Sequence, residues 1–168
     1  STLSGTNTLT FNAGNWNTAQ TVTVTGVDDS IVDGDITTTL TATANSAGGY
    51  SGESTTTTVK NTDDDTNGIS IAQTGTTDGS GNLLTTEAGS TTTFTVVLDA
   101  APTADVTVSI TGLDTTENSL SGSTLSGTNT LTFNAGNWNT AQTVTVTGVD
   151  DSIVDGDITT TLTATANS

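Results

Sequence analysis

The chain has 168 residues, of which 18 are acidic and one, Lys60, is basic, so its formal net charge is −17. We expect no nucleic-acid partner, because a single lysine cannot build the basic patch that phosphate recognition requires. The chain also lacks cysteine and histidine, so it has no disulfides and few means of activating a nucleophile, and we expect it not to be an enzyme. No apolar run approaches the length of a membrane span, and we expect no membrane insertion in this segment.

Strands are predicted along the whole chain by alternating apolar and polar residues bounded by Gly, Asn and Asp. In chain order they cover residues 9–11, 21–27 with an interruption at Gly26, 36–42 and 54–61, a strand beginning at Ile69, then 94–98, 106–110 and the repeated strand 131–133. No segment has the 3.6-residue period of a helix. The pattern therefore predicts an all-β fold of the sandwich type.

An internal repeat sets the domain organisation. Residues 1–46 recur without change at 123–168, an offset of 122 residues. A period of this length matches one domain per repeat. We therefore predict that residues 1–66 are the C-terminal strands of one repeat, ending in an acidic linker. Residues 67–168 are predicted to be the N-terminal strands of the next repeat, with its final strand missing.

The segment GVDDSIVDGD, here called the acidic loop, occurs at residues 26–35 and 148–157 with four aspartates in each copy. Two carboxylates about 4 Å apart repel by about 1 kcal/mol in water and about 4 kcal/mol at an effective dielectric of 20. Calcium takes six to eight oxygen ligands, many of them carboxylates, so the loop predicts a calcium site. We expect Val27, Ile31 and Val32 to anchor it by apolar packing. The alternative is a solvated acidic turn in which Asp is favoured for its turn geometry.

Two other acidic segments could also be metal sites. The run Asp63–Asp65 predicts a second group of calcium ligands, with a charged flexible linker as the alternative. Its spacing begins like an EF-hand loop, but the twelfth position is Thr74 rather than Glu, so that loop type is rejected. The stretch from Asp78 to Asn82 predicts a hairpin turn rather than a metal site.

The segments TLTFNAGNWNTAQTVTVTGVDDSIVDGD and NTDDD resemble the Calx-β domain family, and more closely the Thr-rich Calx-β-like repeats of giant bacterial surface proteins. The resemblance covers the 122-residue period. It implies an immunoglobulin-like Greek-key β-sandwich that binds Ca²⁺ where the loops and the linker meet. The metal ligands that it implies are Asp28, Asp29 and Asp33, repeated as Asp150, Asp151 and Asp155, the linker residues Asp63, Asp64 and Asp65, and Glu87 and Asp114.

The function expected from the resemblance is a calcium-binding repeat that extends or rigidifies a bacterial cell-surface adhesin or extracellular filament. Its partners would be neighbouring repeats of the same polypeptide or fibre. One alternative is a module that binds a surface, either a glycan through Trp16 or Trp138 or ice through rows of threonine. Another is a fibre subunit whose missing strand comes from residues near 54–60 of a neighbouring chain.

Overall fold

The computed structural model describes residues 2–4, 7–45 and 48–167. Over these residues the protein consists of eleven β-strands joined by turns and loops, with no helix, which confirms the predicted all-β class. A helix long and apolar enough to cross a membrane is accordingly absent from the described residues. The chain divides into two compact units, Ser1–Asp64 and Asp65–Ser168.

Among its described residues, the first unit contains two pairs of antiparallel strands. β1 (Thr2–Ser4) pairs with β2 (Thr23–Thr25), and β3 (Ile36–Thr43) pairs with β4 (Ser54–Asn61). The longer ladder, β3–β4, runs from Ile36 opposite Asn61 to Thr43 opposite Ser54. Most side chains of both pairs are exposed, as expected for two-stranded ribbons without a packed face.

The described residues 65–167 of the second unit form seven strands in two antiparallel sheets, one ordered β5-β6-β10-β8 and the other β11-β7-β9. The strands are β5 (Ile69–Gln73), β6 (Thr91–Leu98), β7 (Val106–Thr111), β8 (Asn118–Ser121), β9 (Thr130–Phe133), β10 (Gln142–Gly148) and β11 (Thr163–Asn167). The chain crosses repeatedly from one sheet to the other, so strands that are consecutive in sequence are often in different sheets.

The core of the second unit is shared by the two sheets. Along β6 every second side chain is buried, including Phe94 and Val96, while the threonines between them face outward. The buried cluster contains Phe94, Val96, Leu98, Val108, Ile110, Leu131, Phe133, Val144 and Val146. Because these residues come from both sheets, the second unit has the two layers of a β-sandwich. The immunoglobulin-like Greek-key assignment stays a prediction.

The repeated 46 residues adopt different structures in the two units. Phe133 is fully buried in β9, whereas Phe11, its counterpart in the repeat, is 52% exposed and lies outside any strand. In the second unit β9 pairs with β7, and the described part of the first unit contains no counterpart of β7. The prediction of a strand is therefore confirmed at 131–133 and wrong at 9–11, because the partner strand decides whether this sequence is extended and buried.

Candidate metal centre

The two acidic loops share their local conformation. In the first, the Asp29 carboxylate accepts a hydrogen bond from the Ile31 N–H at 2.9 Å, and in the second Asp151 accepts one from the Ile153 N–H at 2.7 Å. These are Asx turns, in which a side-chain oxygen fixes the backbone two residues later. Gly34 and Gly156 both have a φ of 79°, the left-handed conformation that glycine adopts without steric cost. The loop sequence thus determines its own backbone shape.

The second acidic loop connects β10 to β11 and lies next to the start of β8. Gly148, the last residue of β10, is opposite Asn118, the first residue of β8. The ladder continues into the loops, since the Val149 N–H donates to the Glu117 carbonyl at 2.8 Å. This pairing holds the side chain of Glu117 beside the acidic loop.

Three carboxylates meet at this point and form what we call the Glu117 cluster, namely Glu117, Asp151 and Asp155. One oxygen from each lies within 4.8 Å of the others. Glu117 and Asp151 are half-buried and Asp155 is exposed. Hard carboxylate oxygens at this spacing suit calcium, which tolerates irregular geometry and fills its remaining positions with carbonyls and water.

The electrostatics of the cluster are those of like charges held together. The pKa of Glu117 is raised above its ordinary value by partial burial and next by the negative charge of Asp155, with smaller contributions from Asp151 and Asp114. Such a group favours the neutral form unless a positive charge is close. A divalent cation would reverse the sign of each of these interactions.

Glu117 is the member of this cluster that the sequence analysis missed. It does not belong to the repeated segment and matches none of the motifs that carry the Calx-β resemblance. The signal available in the sequence was its position three residues after Asp114, which was itself a predicted ligand. Its proximity to Asp151 depends on the pairing of β8 with β10, which no local pattern specifies.

Asp114 lies beside the cluster but outside it. Its carboxylate accepts hydrogen bonds from the Thr116 N–H at 3.0 Å and the Thr116 hydroxyl at 2.6 Å. The hydroxyl bond foremost, followed by the N–H bond, lowers the pKa of Asp114. Asp114 therefore shapes the turn that leads to Glu117, and its negative charge contributes to the raised pKa of that residue.

Glu87 and Asp150 are exposed and belong to neither of the acidic groups found among the described residues. Glu87 is nevertheless close to the acidic loop in the fold, because its turn packs against the end of β10. The Gly148 N–H donates to the Ser90 carbonyl at 3.0 Å, and a side chain at Gly148 would collide with the carbonyl of Thr86. The structure thus brings the Glu87 turn to this end of the sandwich without placing its carboxylate in the cluster.

In the first unit the carboxylate oxygens of Asp28 and Asp64 lie within 4.8 Å of each other. Asp65, which follows Asp64 in the chain, is the first residue of the second unit. Asp29 and Asp33 are exposed and belong to neither acidic group found among the described residues. Of the predicted loop ligands in the first unit, Asp28 is thus the one that belongs to an acidic group with a linker carboxylate.

Asp63 joins the linker to the first acidic loop through backbone hydrogen bonds. Its carboxylate accepts from the Gly34 N–H at 2.6 Å, and its own N–H donates to the Asp35 carboxylate at 3.0 Å. Lys60 forms an ion pair with Asp35, and its hydrogen bond, followed by that of the Asp63 N–H, lowers the pKa of Asp35. The one lysine of the chain is thus already engaged with a carboxylate in the first unit.

Most apolar residues of the two acidic loops are exposed. Val27 is 50% exposed, Ile31 37% and Val32 38%, and in the second loop Ile153 is 65% exposed. The expectation of apolar packing is therefore wrong. In the second loop Val149, the counterpart of Val27, is half-buried, and both loops share an Asx turn that fixes their backbone.

The Asp78 segment forms the hairpin turn that its sequence predicts. Thr77 is bridged to Leu83, and the Asp78 carboxylate accepts from the N–H groups of Ser80 and Asn82, each at 2.8 Å. Hydrogen bonds from the Asn82 side chain, and then from its backbone, lower the pKa of Asp78. This aspartate is satisfied within its own turn.

A scan against protein-family models, a search of curated proteins and a search of solved structures each found no match to this chain. The resemblance to the Calx-β family therefore remains a prediction carried by the motifs quoted above. What the chain does must be inferred from its residues and their geometry.

Proposed function

We propose that the chain is a calcium-binding structural repeat that stiffens a bacterial cell-surface adhesin or extracellular filament. The observation that carries this proposal is the Glu117 cluster, in which three carboxylates from two loops approach within 4.8 Å. The partners are neighbouring repeats of the same polypeptide or fibre, and the role is structural rather than catalytic.

Charge balance supports a cation in the cluster. The chain carries 18 acidic residues and one lysine, and that lysine is paired with Asp35 in the first unit. No other basic side chain exists to neutralise the Glu117 cluster. Calcium is the divalent ion whose preferred ligands, six to eight hard oxygens in flexible geometry, match a donor set of carboxylates on loops.

The position of the cluster supports a structural role. Glu117 precedes β8, whereas Asp151 and Asp155 lie in the loop between β10 and β11. A cation bound by all three residues would tie together loops that belong to both sheets. It would thereby stabilise the folded state over the unfolded chain, in which Glu117 is far from the two aspartates. At tenfold excess over its dissociation constant, one such site adds about 1.4 kcal/mol.

Calorimetry tests the proposal. The melting temperature of the 168-residue chain is measured in excess EDTA and in about 10 mM calcium chloride, roughly tenfold above the dissociation constants of extracellular calcium modules. We expect a clear rise with calcium and a smaller one with magnesium, which demands near-octahedral geometry. Equal melting temperatures in EDTA and calcium would exclude the proposal.

A matched pair of variants localises the effect. Asp155 and Asp33 occupy the same position in identical acidic loops, but only Asp155 belongs to an acidic group in the described residues. Asp155→Asn should reduce the calcium-induced rise in melting temperature, and Asp33→Asn should leave it unchanged. Equal effects of the two variants would show that the loop sequence, rather than the Glu117 cluster, binds the ion.

A second candidate function is binding of an ordered surface, such as ice, by the outer face of the β5-β6-β10-β8 sheet. The observation that favours it is two facing rows of threonine, in which Thr91, Thr93 and Thr95 of β6 lie opposite Thr147, Thr145 and Thr143 of β10. An assay of ice recrystallisation tests it. Thr145→Lys should abolish any inhibition, while Thr103→Lys, on an exposed connection, should not. Of the two tryptophans considered for glycan binding, Trp138 packs partly buried against the core, whereas Trp16 is 70% exposed.

A further inference from the structure

The outer edge of β11 has no partner strand in the described part of the chain. On its other edge β11 pairs with β7, where Ala164 is opposite Ile110. The Ile110 N–H points away from β11, since it donates to the Asn129 carbonyl at 2.8 Å on the β9 side of β7. Opposed residues of an antiparallel pair point their backbone groups either toward each other or away. Ala164 and Ala166 therefore direct their N–H and C=O groups to the open edge.

In the first unit, the identical sequence forms backbone hydrogen bonds along this same edge. Ala44 occupies the position in the repeat that Ala166 occupies in the second copy. The Ala44 N–H donates to the Glu53 carbonyl at 2.8 Å, and the Ala44 carbonyl accepts from the Gly52 N–H at 2.9 Å. The edge that β3 presents to β4 is thus the edge that β11 leaves open. A strand of this sequence can have β7 on one side and a β4 strand on the other.

The conformation of the repeat responds to that partner. Residues 36–40 belong to β3 and lie opposite β4, whereas the identical residues 158–162 lie outside β11. Within this stretch the hydroxyl oxygen of Thr160 is buried and has no hydrogen-bond partner among the described residues. The second copy of the sequence is therefore less completely paired than the first.

We propose that β11 binds the β4 strand of a second copy of this chain, in the register that β4 adopts on β3. In this register Ser54 of one copy lies opposite Thr165 of the other, and Asn61 lies opposite Ile158. The three-stranded sheet β11-β7-β9 becomes four-stranded, and residues 158–162 become strand.

The side chains of β4 suit this position. Val59, the apolar residue of β4, is opposite Thr38 in the first unit and would be opposite Thr160, on the same face as Leu162, which packs against the core. Lys60 forms an ion pair with Asp35, and the identical position in the second acidic loop is Asp157. The bound strand would therefore gain an apolar neighbour for Val59 and keep an aspartate partner for Lys60.

Pairing of β4 with β11 of a second copy is also favoured over its pairing with β3, because the two sheets offer different packing. In its own unit β4 belongs to a two-stranded ribbon with mostly exposed side chains, and such ribbons are marginally stable. On β11 it joins a sheet that covers a packed core. The backbone hydrogen bonds to the repeated residues are equivalent in the two cases, so the added packing decides the preference.

The resulting assembly is a head-to-tail fibre. The edge of β11 and the strand β4 are different surfaces of one chain, so the contact is heterologous, and a heterologous contact that does not close repeats without limit. Strand addition of this kind is held by main-chain hydrogen bonds. It does not depend on calcium and stands or falls separately from the proposed function.

Mass measurement by light scattering after size-exclusion chromatography tests the inference. The chain is studied between about 1 µM and 1 mM, where moderate associations titrate, in about 0.3 M sodium chloride to screen the charge, with EDTA and with calcium in separate runs. We expect masses that rise with concentration in multiples of 16.7 kDa even in EDTA. A constant 16.7 kDa in both solutions would overturn the inference. The calcium proposal is judged independently by the shift in melting temperature.

Two proline variants give the matched control. Ala166→Pro removes an N–H on the open edge of β11 and spares the β7 ladder, so it should abolish association while leaving the melting temperature nearly unchanged. Ala44→Pro makes the same change in identical flanking sequence, removes the bond to Glu53, and should leave association intact because it releases β4. Association of Ala166→Pro at wild-type strength, or loss of association in Ala44→Pro, would contradict the proposal.

A competitor peptide provides a test that does not depend on any variant folding. A synthetic peptide of residues 52–62 contains β4 with its flanking residues. Added in excess to the wild-type chain, it should return the mass to that of a single chain with one bound peptide. A peptide with the same composition in scrambled order is the control. Failure of the native peptide to bind or to reduce the mass would also overturn the inference.

Discussion

The carboxylate oxygens of Glu117 and Asp151 lie within 4.8 Å of each other in the second unit, although the two residues belong to different loops. Glu117 directly precedes β8, and Asp151 follows the end of β10. The antiparallel pairing of these two strands therefore sets the distance between the carboxylates. This contact, the burial of the repeated phenylalanines, the packing of the loop glycines and the Asp78 turn each lead to a prediction that can be measured.

The charge of Glu117 should have opposite effects with and without calcium. In EDTA, Glu117→Gln should raise the melting temperature, because it removes a charge repelled by Asp155 and Asp151. In calcium it should weaken affinity by about tenfold, since ligand charge is a main determinant of affinity in such sites. Calorimetry and calcium titration measure both effects.

The control for that experiment is Glu87→Gln. Glu87 is exposed and outside the Glu117 cluster, so calcium affinity should be unchanged. A loss of calcium affinity in Glu87→Gln equal to that in Glu117→Gln would instead favour the ligand set implied by the Calx-β resemblance. A fall in melting temperature for Glu117→Gln in EDTA would contradict the electrostatic description of the cluster.

The two repeated phenylalanines should differ in their contribution to stability. Phe133→Ala empties a fully buried position of the core and should cost about 3–5 kcal/mol. Phe11→Ala changes a side chain that is 52% exposed and should cost less than about 0.5 kcal/mol. Urea unfolding at low protein concentration measures both values. Similar costs for the two variants would show that the units share one environment for this sequence.

The glycine at the start of each acidic loop offers a second matched pair. A Cβ at Gly148 would collide with the backbone carbonyl of Thr86, whereas one at Gly26 would meet only the side-chain oxygen of Asn61, at 2.6 Å. Gly148→Ala should destabilise the second unit by about 1–3 kcal/mol. Gly26→Ala should cost less, because the Asn61 side chain can rotate. Equal losses of unfolding free energy in the two variants would contradict the close contact between Gly148 and the Thr86 carbonyl.

The turn at Asp78 should make stability depend on pH. Its hydrogen bonds to Asn82 lower its pKa below the ordinary value of 3.8, so the folded state binds this proton less tightly than the unfolded chain. The stabilisation is therefore present at neutral pH, declines from about pH 5 downward, and is lost below the folded pKa. Asp78→Asn should lower the unfolding free energy at pH 7 and have little effect at low pH.

Asp105→Asn serves as the control, since Asp105 is exposed on a connection and forms no hydrogen bond given by the structure. Asp105→Asn should change the unfolding free energy only slightly at every pH. Urea unfolding at several pH values, with NMR titration of the Asp78 carboxyl, measures the difference. A constant difference between wild type and Asp78→Asn across the pH range would rule out the turn as its source.

Local patterns predicted much of the fold. The strand predicted at 54–61 is β4, the strand predicted to begin at Ile69 is β5, and the alternation at 94–98 places Phe94 and Val96 in the core. These predictions succeed because side-chain direction alternates along a strand whatever its partner is. The Asx turns of the acidic loops are likewise local, since each depends on residues two positions apart.

The candidate site was less predictable than the fold. Asp151 and Asp155 were expected as ligands, and the structure brings both to one point, but Glu117 was missed and Glu87 lies outside the group. The local sequence predicts that the acidic residues lie on loops, but it does not specify which loops come into contact. That depends on the order of strands in the sheet, and here the pairing of β8 with β10 selects Glu117.

The sequence by itself determined that the chain is all-β, where most of its strands lie, and that one acidic loop occurs twice with one local shape. Only the tertiary structure decided that Phe133 is buried while Phe11 is exposed, and that Ala44 is paired along the edge that Ala166 leaves open. The physical reason is that alternation and turn geometry belong to the local chain, whereas burial and strand pairing belong to the partner. Identical residues therefore reach different structures when different strands lie beside them.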